Sequence, residues 1–201
     1  MTPHHANMVD DADLVQACRN GDLTAFESLV ERHQRMMINI AFRMTGVYED
    51  ACDIVQEAFI AAWRKIGDYR GEARFSTWLT AIVVNLSRNR LQQLQQRIRR
   101  EAYSLNAPIA GGDGESLPDP PSSAPSTLEQ LEEQELRTFL QHCIELLTIE
   151  FREVLVLRDM QELSYEEVGA ALKLREGTVK SRLFRARDAV RECMKKTAGM
   201  P

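Results

Sequence analysis

The chain has 201 residues, of which 44% are hydrophobic and 27% are charged, and its formal net charge is -5. This length suits one large or two small domains, and the hydrophobic share is enough for folded cores. The acidic balance excludes a uniformly basic nucleic-acid binder, so any DNA surface has to be local and offset by acidic surface elsewhere. Without an N-terminal apolar segment or an apolar run long enough for a bilayer, a cytoplasmic protein without membrane insertion is predicted.

Apolar residues in the first half of the chain recur at the spacing of α-helices. One stripe spans residues 26–44, a second spans 51–66 and a third spans 75–98. Asp50 is placed to cap the second helix and Gly67 to end it. This half is therefore predicted to be all-helical.

The periodic pattern stops between Glu101 and Thr127, in a segment that contains NAPIAGGDGESLPDPPSSAPS. Proline, glycine, serine and aspartate dominate it, which predicts a flexible linker. A relaxed linker of this length averages roughly 30 Å between its ends, so the flanking domains can occupy separate places.

Helical spacing resumes in the second half of the chain. Ser126 and Glu129 have the S-x-x-E spacing of a capping box, and Ser164 and Glu167 repeat it ahead of a short helix. A break at residues 173–175 then leads into a longer basic helix. A short helix, a brief turn and a longer basic helix are the layout of a helix-turn-helix.

The predicted fold class is all-α, with two small helical domains joined by a flexible linker and a helix-turn-helix in the C-terminal domain. The expected boundaries are a disordered N-terminus at 1–9, a first domain at 10–100, the linker at 101–127 and a second domain at 128–197.

The four cysteines, Cys18, Cys52, Cys143 and Cys193, are scattered, without a C-x-x-C pair or a histidine at metal-ligand spacing. We interpret them as free, partly buried thiols of a reduced intracellular protein, with a zinc or disulfide role as the alternative. No metal or other cofactor is predicted. No paired acid and base and no glycine-rich phosphate loop indicates an enzyme.

A basic stretch, EGTVKSRLFRAR, places four cations in the twelve residues from Glu176 to Arg187. Val179, Leu183 and Ala186 have the spacing of a buried stripe. The outer faces of the helix then carry Lys180, Ser181, Phe184, Arg185 and Arg187. Because such side chains read base edges in the major groove and neutralise phosphates, DNA reading is favoured over a solvated cationic face.

An acidic trio lies on the second predicted helix. Asp50, Asp53 and Glu57 share one exposed face, with Gln56 and Ile60 beside them. A solvated surface is the ordinary interpretation of such a trio. An acidic, partly apolar face also suits a basic partner protein, and it repels DNA phosphates.

The stretch from Ala73 to Arg100 contains six arginines and no carboxylate. Trp78, Asn85 and Arg88 lie along one stripe of its helix, just after the loop GDYRGEAR. Rings stack on unpaired bases, asparagine reads a base edge and arginine holds the backbone, so this region is a candidate site for single-stranded DNA. Core packing is the alternative for Phe75 and Trp78.

Four segments occur in the order DIVQEAFIAAWRKI, YRGEARFSTWL, LSYEEVGAALKL and EGTVKSRLFRARDAV. Together they resemble the extracytoplasmic-function sigma factors of bacterial RNA polymerase, nearly throughout the chain outside the linker and the extreme N-terminus. The resemblance implies sigma region 2 in the first domain and sigma region 4 in the second. It implies a subunit that binds polymerase core and directs promoter recognition, strand opening and transcription initiation, without catalytic residues of its own.

The resemblance also implies partners and site residues. The expected partners are promoter DNA, the polymerase core through its clamp helices and flap region, and an anti-sigma factor as a regulator. Core binding is expected at an acidic face of Asp50, Asp53, Gln56, Glu57 and Ile60. The melted -10 element is expected at Asp68, Tyr69, Arg70, Gly71, Arg74, Trp78, Asn85 and Arg88. The -35 element is expected at a reading face of Lys180, Ser181, Phe184 and Arg185, with phosphates at Arg175, Thr178 and Arg187.

Two other functions fit parts of the sequence. A conventional regulator would sense a ligand with its first half and read a palindrome as a dimer, which leaves the carboxylate-free stretch unexplained. A helical enzyme leaves more features of the sequence unused.

Overall fold

A computed structural model describes residues 10–103 and 127–198, and in these two ranges the chain is helical, without a β-strand. The first range contains four helices: α1 (Asp11–Arg19), α2 (Leu23–Thr45), α3 (Tyr48–Lys65) and α4 (Phe75–Tyr103). The second range contains α5 (Thr127–Glu145), α6 (Ile149–Leu155), α7 (Tyr165–Leu172) and α8 (Glu176–Ala198). The prediction of an all-α fold is confirmed.

Three of the predicted features fall on other parts of the chain. The N-terminal segment 1–9, the larger part of the linker and the Ser126 cap lie outside the described residues. At the linker's edges, α4 continues to Tyr103 and α5 begins at Thr127, so helix extends three residues past the expected end of the first domain.

The first half packs α2, α3 and α4 around one core, with α1 against α2. Leu29, Met37, Ile40 and Leu79 are fully buried, as the helical stripes predicted. The side chain of Asp22 accepts a hydrogen bond from the backbone amide of Ala25 at 3.1 Å and caps α2.

The predicted ends of the second helix are wrong by a few residues. Helix α3 begins at Tyr48 after Val47, so Asp50 lies in its first turn and does not cap it. An acidic side chain in the first turn still interacts favourably with the helix dipole. At the other end, Gly67 lies inside a 3-10 turn (Ile66–Asp68) that continues from α3.

The helix-turn-helix is confirmed in α7 and α8. The backbone amide of Glu167 donates to the Ser164 hydroxyl oxygen at 3.1 Å, and the backbone amide of Ser164 donates to the Glu167 carboxylate at 2.8 Å, which completes the predicted capping box. Lys173 ends α7 in the left-handed conformation, with φ of 56°. The turn is tight, because a Cβ at Gly169 would lie 2.8 Å from the carbonyl oxygen of Leu174.

The interpretation of all four cysteines as free thiols is wrong for two of them. Helices α5 and α8 pack together and place Cys143 and Cys193 5.7 Å apart at Cα, joined by a disulfide. The sequence spacing of 50 residues gave no sign of this pairing, because tertiary packing alone brings the two helices together. Cys18 and Cys52 are free.

The two halves pack against each other. The end of α2 meets α5 and α6, and α4 meets α7. A single hydrophobic cluster extends from Leu14 in the first half to Ala186 in the second. None of the helices in the described ranges combines the length and apolar character needed to cross a membrane.

Candidate nucleic-acid and protein interfaces

The loop 68–74 is held in shape by its own hydroxyl and by a neighbouring helix. The Tyr69 hydroxyl donates to the carbonyl oxygen of Ala73 at 2.6 Å, and Gly71 adopts a φ of 74° between them. Arg19 at the end of α1 donates to the carbonyl oxygens of Tyr69 and, at 3.4 Å, Ile66. Sequence reasoning missed Arg19, since nothing in its spacing links α1 to this loop.

Three aromatic rings form the base of the loop. Tyr69 lies 5.2 Å from Trp78 and 6.1 Å from Phe75 between ring centroids, and Phe75 and Trp78 are 5.8 Å apart. Phe75 is core, which was the alternative interpretation of this ring, whereas Trp78 is half-buried. Burial raises the pKa of Tyr69, so its hydroxyl stays protonated and able to donate.

A cavity of about 670 Å³ opens between α1 and this loop. Its lining includes Asp11, Gln16 and Arg19 from α1 and Tyr69, Arg70 and Arg74 from the loop. This volume lies within the range of small-molecule sites, and aromatic, carboxylate, amide and guanidinium groups surround it. The cavity is chemically suited to an unstacked base.

The helix face behind the loop carries Asn85 and Arg88, which lie next to each other. Arg88 donates to the Asn85 side-chain oxygen at 3.3 Å, and Asn85 is exposed. Arg88 also forms an ion pair at 2.5 Å with Glu153 of α6, whose side chain is 3% exposed. Arg74 lies 3.5 Å from Glu167 but is 81% exposed, so that contact is weak.

The carboxylate-free stretch 73–100 therefore receives carboxylates from elsewhere in the chain. Asp50 of α3 binds Arg90, Glu153 binds Arg88, and Glu167 approaches Arg74. Sequence reasoning missed these three acids as partners, because each is distant along the chain. Two signals were available in the sequence. Glu167 completes a capping box, and Glu153 lies in a mostly apolar helix.

The reading face of α8 projects away from the core. Val179, Leu183 and Ala186 are buried, as predicted, and Phe184 is 73% exposed. Arg185 is exposed and makes no ion pair with a residue that the structure describes. An exposed ring beside an unpaired guanidinium has the composition of a base-contacting surface.

Two other members of the reading face are engaged within their own domain. Lys180 forms an ion pair with Glu176 at 2.5 Å and lies 5.2 Å above the ring of Tyr165. The carboxylate of Glu176 raises the pKa of Lys180. The hydroxyl of Ser181 donates to the carbonyl oxygen of Thr178 at 3.0 Å.

The expected phosphate contacts surround this face. Thr178 is in the first turn of α8, where its amide donates to the carbonyl of Arg175 at 2.9 Å. Arg187 is paired with Asp159 at 2.5 and 2.8 Å. A helix N-terminus and nearby guanidiniums are suitable partners for DNA phosphates.

The acidic face of α3 is only partly free. Asp53, Gln56 and Glu57 are exposed, and Ile60 adds an apolar side chain that is 46% exposed. Asp50 is the exception: it accepts hydrogen bonds from Arg90, one of them at 3.1 Å, and its carboxylate raises the pKa of Arg90. Among the described residues, no group of three or more His, Cys, Asp or Glu could hold a metal ion.

Both halves of the chain match known families. The model of Sigma-70 region 2 matches residues 29–103, and the model of Sigma-70, region 4, matches residues 137–190. The ECF RNA polymerase sigma-E factor of Escherichia coli strain K12 is 35% identical over 190 residues, covering 92% of this chain and 94% of that protein. The RNA polymerase sigma-H factor of Pseudomonas aeruginosa is 33% identical over 181 residues, covering 90% and 91%.

Solved structures give the same result. CnrH in complex with the cytosolic domain of CnrY superposes with a TM-score of 0.62 at 25% identity, covering 93% of this chain and 98% of that chain. The sigma factor RpoE, in complex with the anti-sigma factor NepR from Bartonella quintana, shares the fold with a TM-score of 0.61 at 22% identity. It covers 86% of this chain and 98% of that one. This chain belongs to the extracytoplasmic-function (ECF) family of sigma factors.

Proposed function

We propose that this chain is an alternative sigma factor that binds RNA polymerase core and directs promoter recognition, strand opening and transcription initiation. The observation that carries the proposal is the presence, in one chain, of two different kinds of surface. An acidic face on α3 suits a protein partner, and an exposed ring and unpaired guanidinium on α8 suit DNA. Both surfaces fall inside the two matched sigma regions.

The -10 element is assigned to the first domain. The cavity between α1 and the loop 68–74 receives one flipped base, and Trp78, Asn85 and Arg88 hold the melted strand beside it. Extracting a base from a duplex costs a few kcal/mol, which stacking and hydrogen bonding in such a cavity can offset. Asp68, at the start of the loop, and Arg70, within it, contact the same strand.

The -35 element is assigned to the second domain. Lys180, Ser181, Phe184 and Arg185 read base edges in the major groove of intact duplex, and Arg175, Thr178 and Arg187 contact phosphates. We place the two domains at the expected boundaries, 10–100 and 128–197, although α4 continues to Tyr103 and α5 begins at Thr127. The linker at 101–127 lets them reach separate promoter elements on one polymerase.

The chain supplies specificity and no reaction chemistry of its own. Sigma factors are specificity subunits, and the polymerase core catalyses nucleotide addition. We place the protein in the cytoplasm, where polymerase and DNA are present. Its partners are promoter DNA, polymerase core through the clamp helices and flap region, and an anti-sigma factor, the kind of protein with which the RpoE chain from Bartonella quintana was solved.

Run-off transcription tests the function directly. Purified core polymerase and a library of promoter fragments are incubated with or without the chain. We expect accurate transcripts from a subset of promoters only when the chain is present. Equal transcription from all fragments with and without correctly folded protein would reject the proposal.

The acidic face is tested by binding to core polymerase. We expect Asp53→Ala with Glu57→Ala to lower the affinity by tenfold or more, because both carboxylates are exposed and close pairs at such interfaces contribute roughly 1.5 kcal/mol or more each. Glu27→Ala with Glu31→Ala, which removes two exposed carboxylates at the same spacing on α2, is the matched control. Unchanged affinity of the first variant for core polymerase would mean that the acidic face of α3 is an ordinary solvated surface.

A further inference from the structure

A buried carboxylate joins the two halves of the chain. Glu153 Oε2 lies 2.5 Å from Arg88 Nη2 of α4, and its Oε1 lies 3.6 Å from Arg182 Nη1 of α8. Only 3% of the Glu153 side chain is exposed. A carboxylate between two guanidiniums makes the same kind of charge-assisted contacts that a phosphate makes.

The neighbouring residue inserts into the first half at a second point. Arg152 is buried and donates to the carbonyl oxygen of Met44, in the last turn of α2, while also binding the carbonyl oxygens of Glu145 and Leu147. Desolvation lowers the pKa of Arg152, and these acceptors compensate the buried guanidinium. Helix α6 is therefore attached to the first half by two adjacent charged residues.

The same junction is closely packed. Arg43 of α2 donates to the side-chain oxygen of Gln141 of α5 at 3.0 Å. A Cβ at Gly46, just after α2, would overlap the side chain of Glu145 at the end of α5. A larger residue at position 46 would therefore displace the Glu145 side chain.

We propose that Glu153 is an internal competitor of DNA: in the free chain it occupies the place of a strand phosphate at Arg88 and holds the two domains closed. This rests on the proposed function, in which Arg88 contacts the melted -10 strand. Since one guanidinium cannot serve both partners in full, closure and strand binding exclude each other. The apparent affinity for the strand falls by the fraction of molecules that are open.

Opening also separates Glu167 from Arg74 of the loop 68–74, which is a second contact between the two halves. The contact between Glu153 and Arg182 lies within the second domain and remains after opening. A strand phosphate at Arg88 then replaces the contact that opening removes.

The experiment compares Glu153→Gln with Glu150→Gln in the full chain. Gln keeps the shape of the side chain and removes its charge, and Glu150 is exposed on the same helix. Small-angle scattering measures the radius of gyration, and fluorescence anisotropy measures binding of a single-stranded -10 oligonucleotide. If closed molecules outnumber open ones about ten to one, we expect a larger radius and roughly tenfold tighter binding for Glu153→Gln only.

A second variant disturbs the junction without removing a charge. Gly46→Asn keeps a residue that tolerates the left-handed backbone and places its side chain against Glu145. Gly21→Asn is the matched control, because Gly21 has a similar φ of 89° and nothing within 4 Å of its Cβ position. We expect Gly46→Asn to expand the chain and tighten strand binding, and Gly21→Asn to do neither.

Circular dichroism shows whether each variant is folded. If Glu153→Gln does not fold, Gly46→Asn alone tests the proposal. Unchanged radius and unchanged strand affinity in the folded variants would overturn the proposal. A larger radius without tighter strand binding would also overturn it, since Arg88 would not be a shared site. Failure of the proposed function is separate, because it would appear as absent run-off transcription with the unmodified chain.

Discussion

Four cations lie on the first three turns of α8, and their surroundings differ. Lys180, Arg182 and Arg187 each have an acidic partner within the chain, at Glu176, Glu153 and Asp159. Arg185 has none among the residues that the structure describes. An unpaired guanidinium meets a guanine without first giving up an ion pair, so Arg185 is the strongest candidate for direct base contact.

Arg185 is therefore the residue with which to test base reading. We expect Arg185→Ala to weaken binding of the holoenzyme to a -35 duplex by roughly tenfold or more, and to relax selectivity at one base position. Adding Lys180→Ala weakens it further, while affinity for core polymerase stays unchanged. Arg191→Ala, farther along α8 and paired with Asp188, is the control in a duplex competition assay.

Loss of core binding together with duplex binding would show that the outer face of α8 maintains the fold and does not read DNA. Equal weakening by Arg185→Ala and Arg191→Ala would assign both residues to sequence-independent phosphate contact.

The hydroxyl of Tyr69 is a second residue-scale test. Tyr69→Phe removes the hydrogen bond to Ala73 and keeps the ring contacts with Phe75 and Trp78. We expect a loss of about 0.5–1.5 kcal/mol in stability and weaker discrimination at one -10 base, because the loop loses its closure. Chemical denaturation and run-off transcription on -10 variants measure these effects, and Tyr165→Phe is the control. Unchanged discrimination among -10 variants would show that this hydrogen bond in the loop does not contribute to base capture.

At the scale of elements, the turn between α7 and α8 determines how the reading helix is presented. Gly169 permits the backbone of Leu174 to pass close to α7, and the Leu174 amide donates to the Gly169 carbonyl at 2.9 Å. The left-handed Lys173 then reverses the chain. The capping box at Ser164 predicted where α7 begins. It did not predict that Gly169 allows the backbone before α8 to pass so close to α7.

Gly169→Ala tests this turn. The added methyl group would lie 2.8 Å from a backbone oxygen, so the turn has to shift, and we expect a destabilisation of about 1–3 kcal/mol. Gly177→Ala has open space at its Cβ and should be neutral or slightly stabilising. Urea denaturation measures both variants, and equal stability of the two would contradict a sterically tight turn.

Element boundaries show where local rules hold. Gly46, with a φ of 79°, ends α2 where the apolar stripe stops, since glycine adopts this conformation without steric cost. Asp50 failed as an N-cap, because α3 starts two residues earlier and Arg90 of α4 engages the carboxylate. The ion pair between Asp50 and Arg90 therefore outweighs the local capping preference of the aspartate.

At the scale of the whole molecule, the charge distribution limits DNA binding by the free chain. The net charge of -5 repels duplex DNA, and most cations next to the reading face already have acidic partners. Polymerase occupies the acidic face in the proposed holoenzyme and reduces that repulsion. The chain by itself should therefore be a weak DNA binder.

This expectation is measured by titrating a labelled promoter with the free chain and with the holoenzyme at several salt concentrations. We expect promoter-specific binding at physiological salt only with core polymerase, and a steep loss of the remaining free-chain binding as salt rises. Tight, promoter-specific binding by the free chain would contradict the proposed division between the two surfaces.

The sequence by itself determined the helical fold and the helix-turn-helix, because these depend on apolar periodicity and capping within short segments. The assignment of the two halves to sigma regions came from the resemblance of four short segments to that family. It also predicted the buried stripe of Val179, Leu183 and Ala186, since helix geometry sets which side chains share a face. Only the tertiary structure decided which charges are paired. Arg88 with Glu153, Arg90 with Asp50 and Cys143 with Cys193 join residues far apart in the chain. Their meeting depends on how helices pack, and local spacing carries no information about that packing.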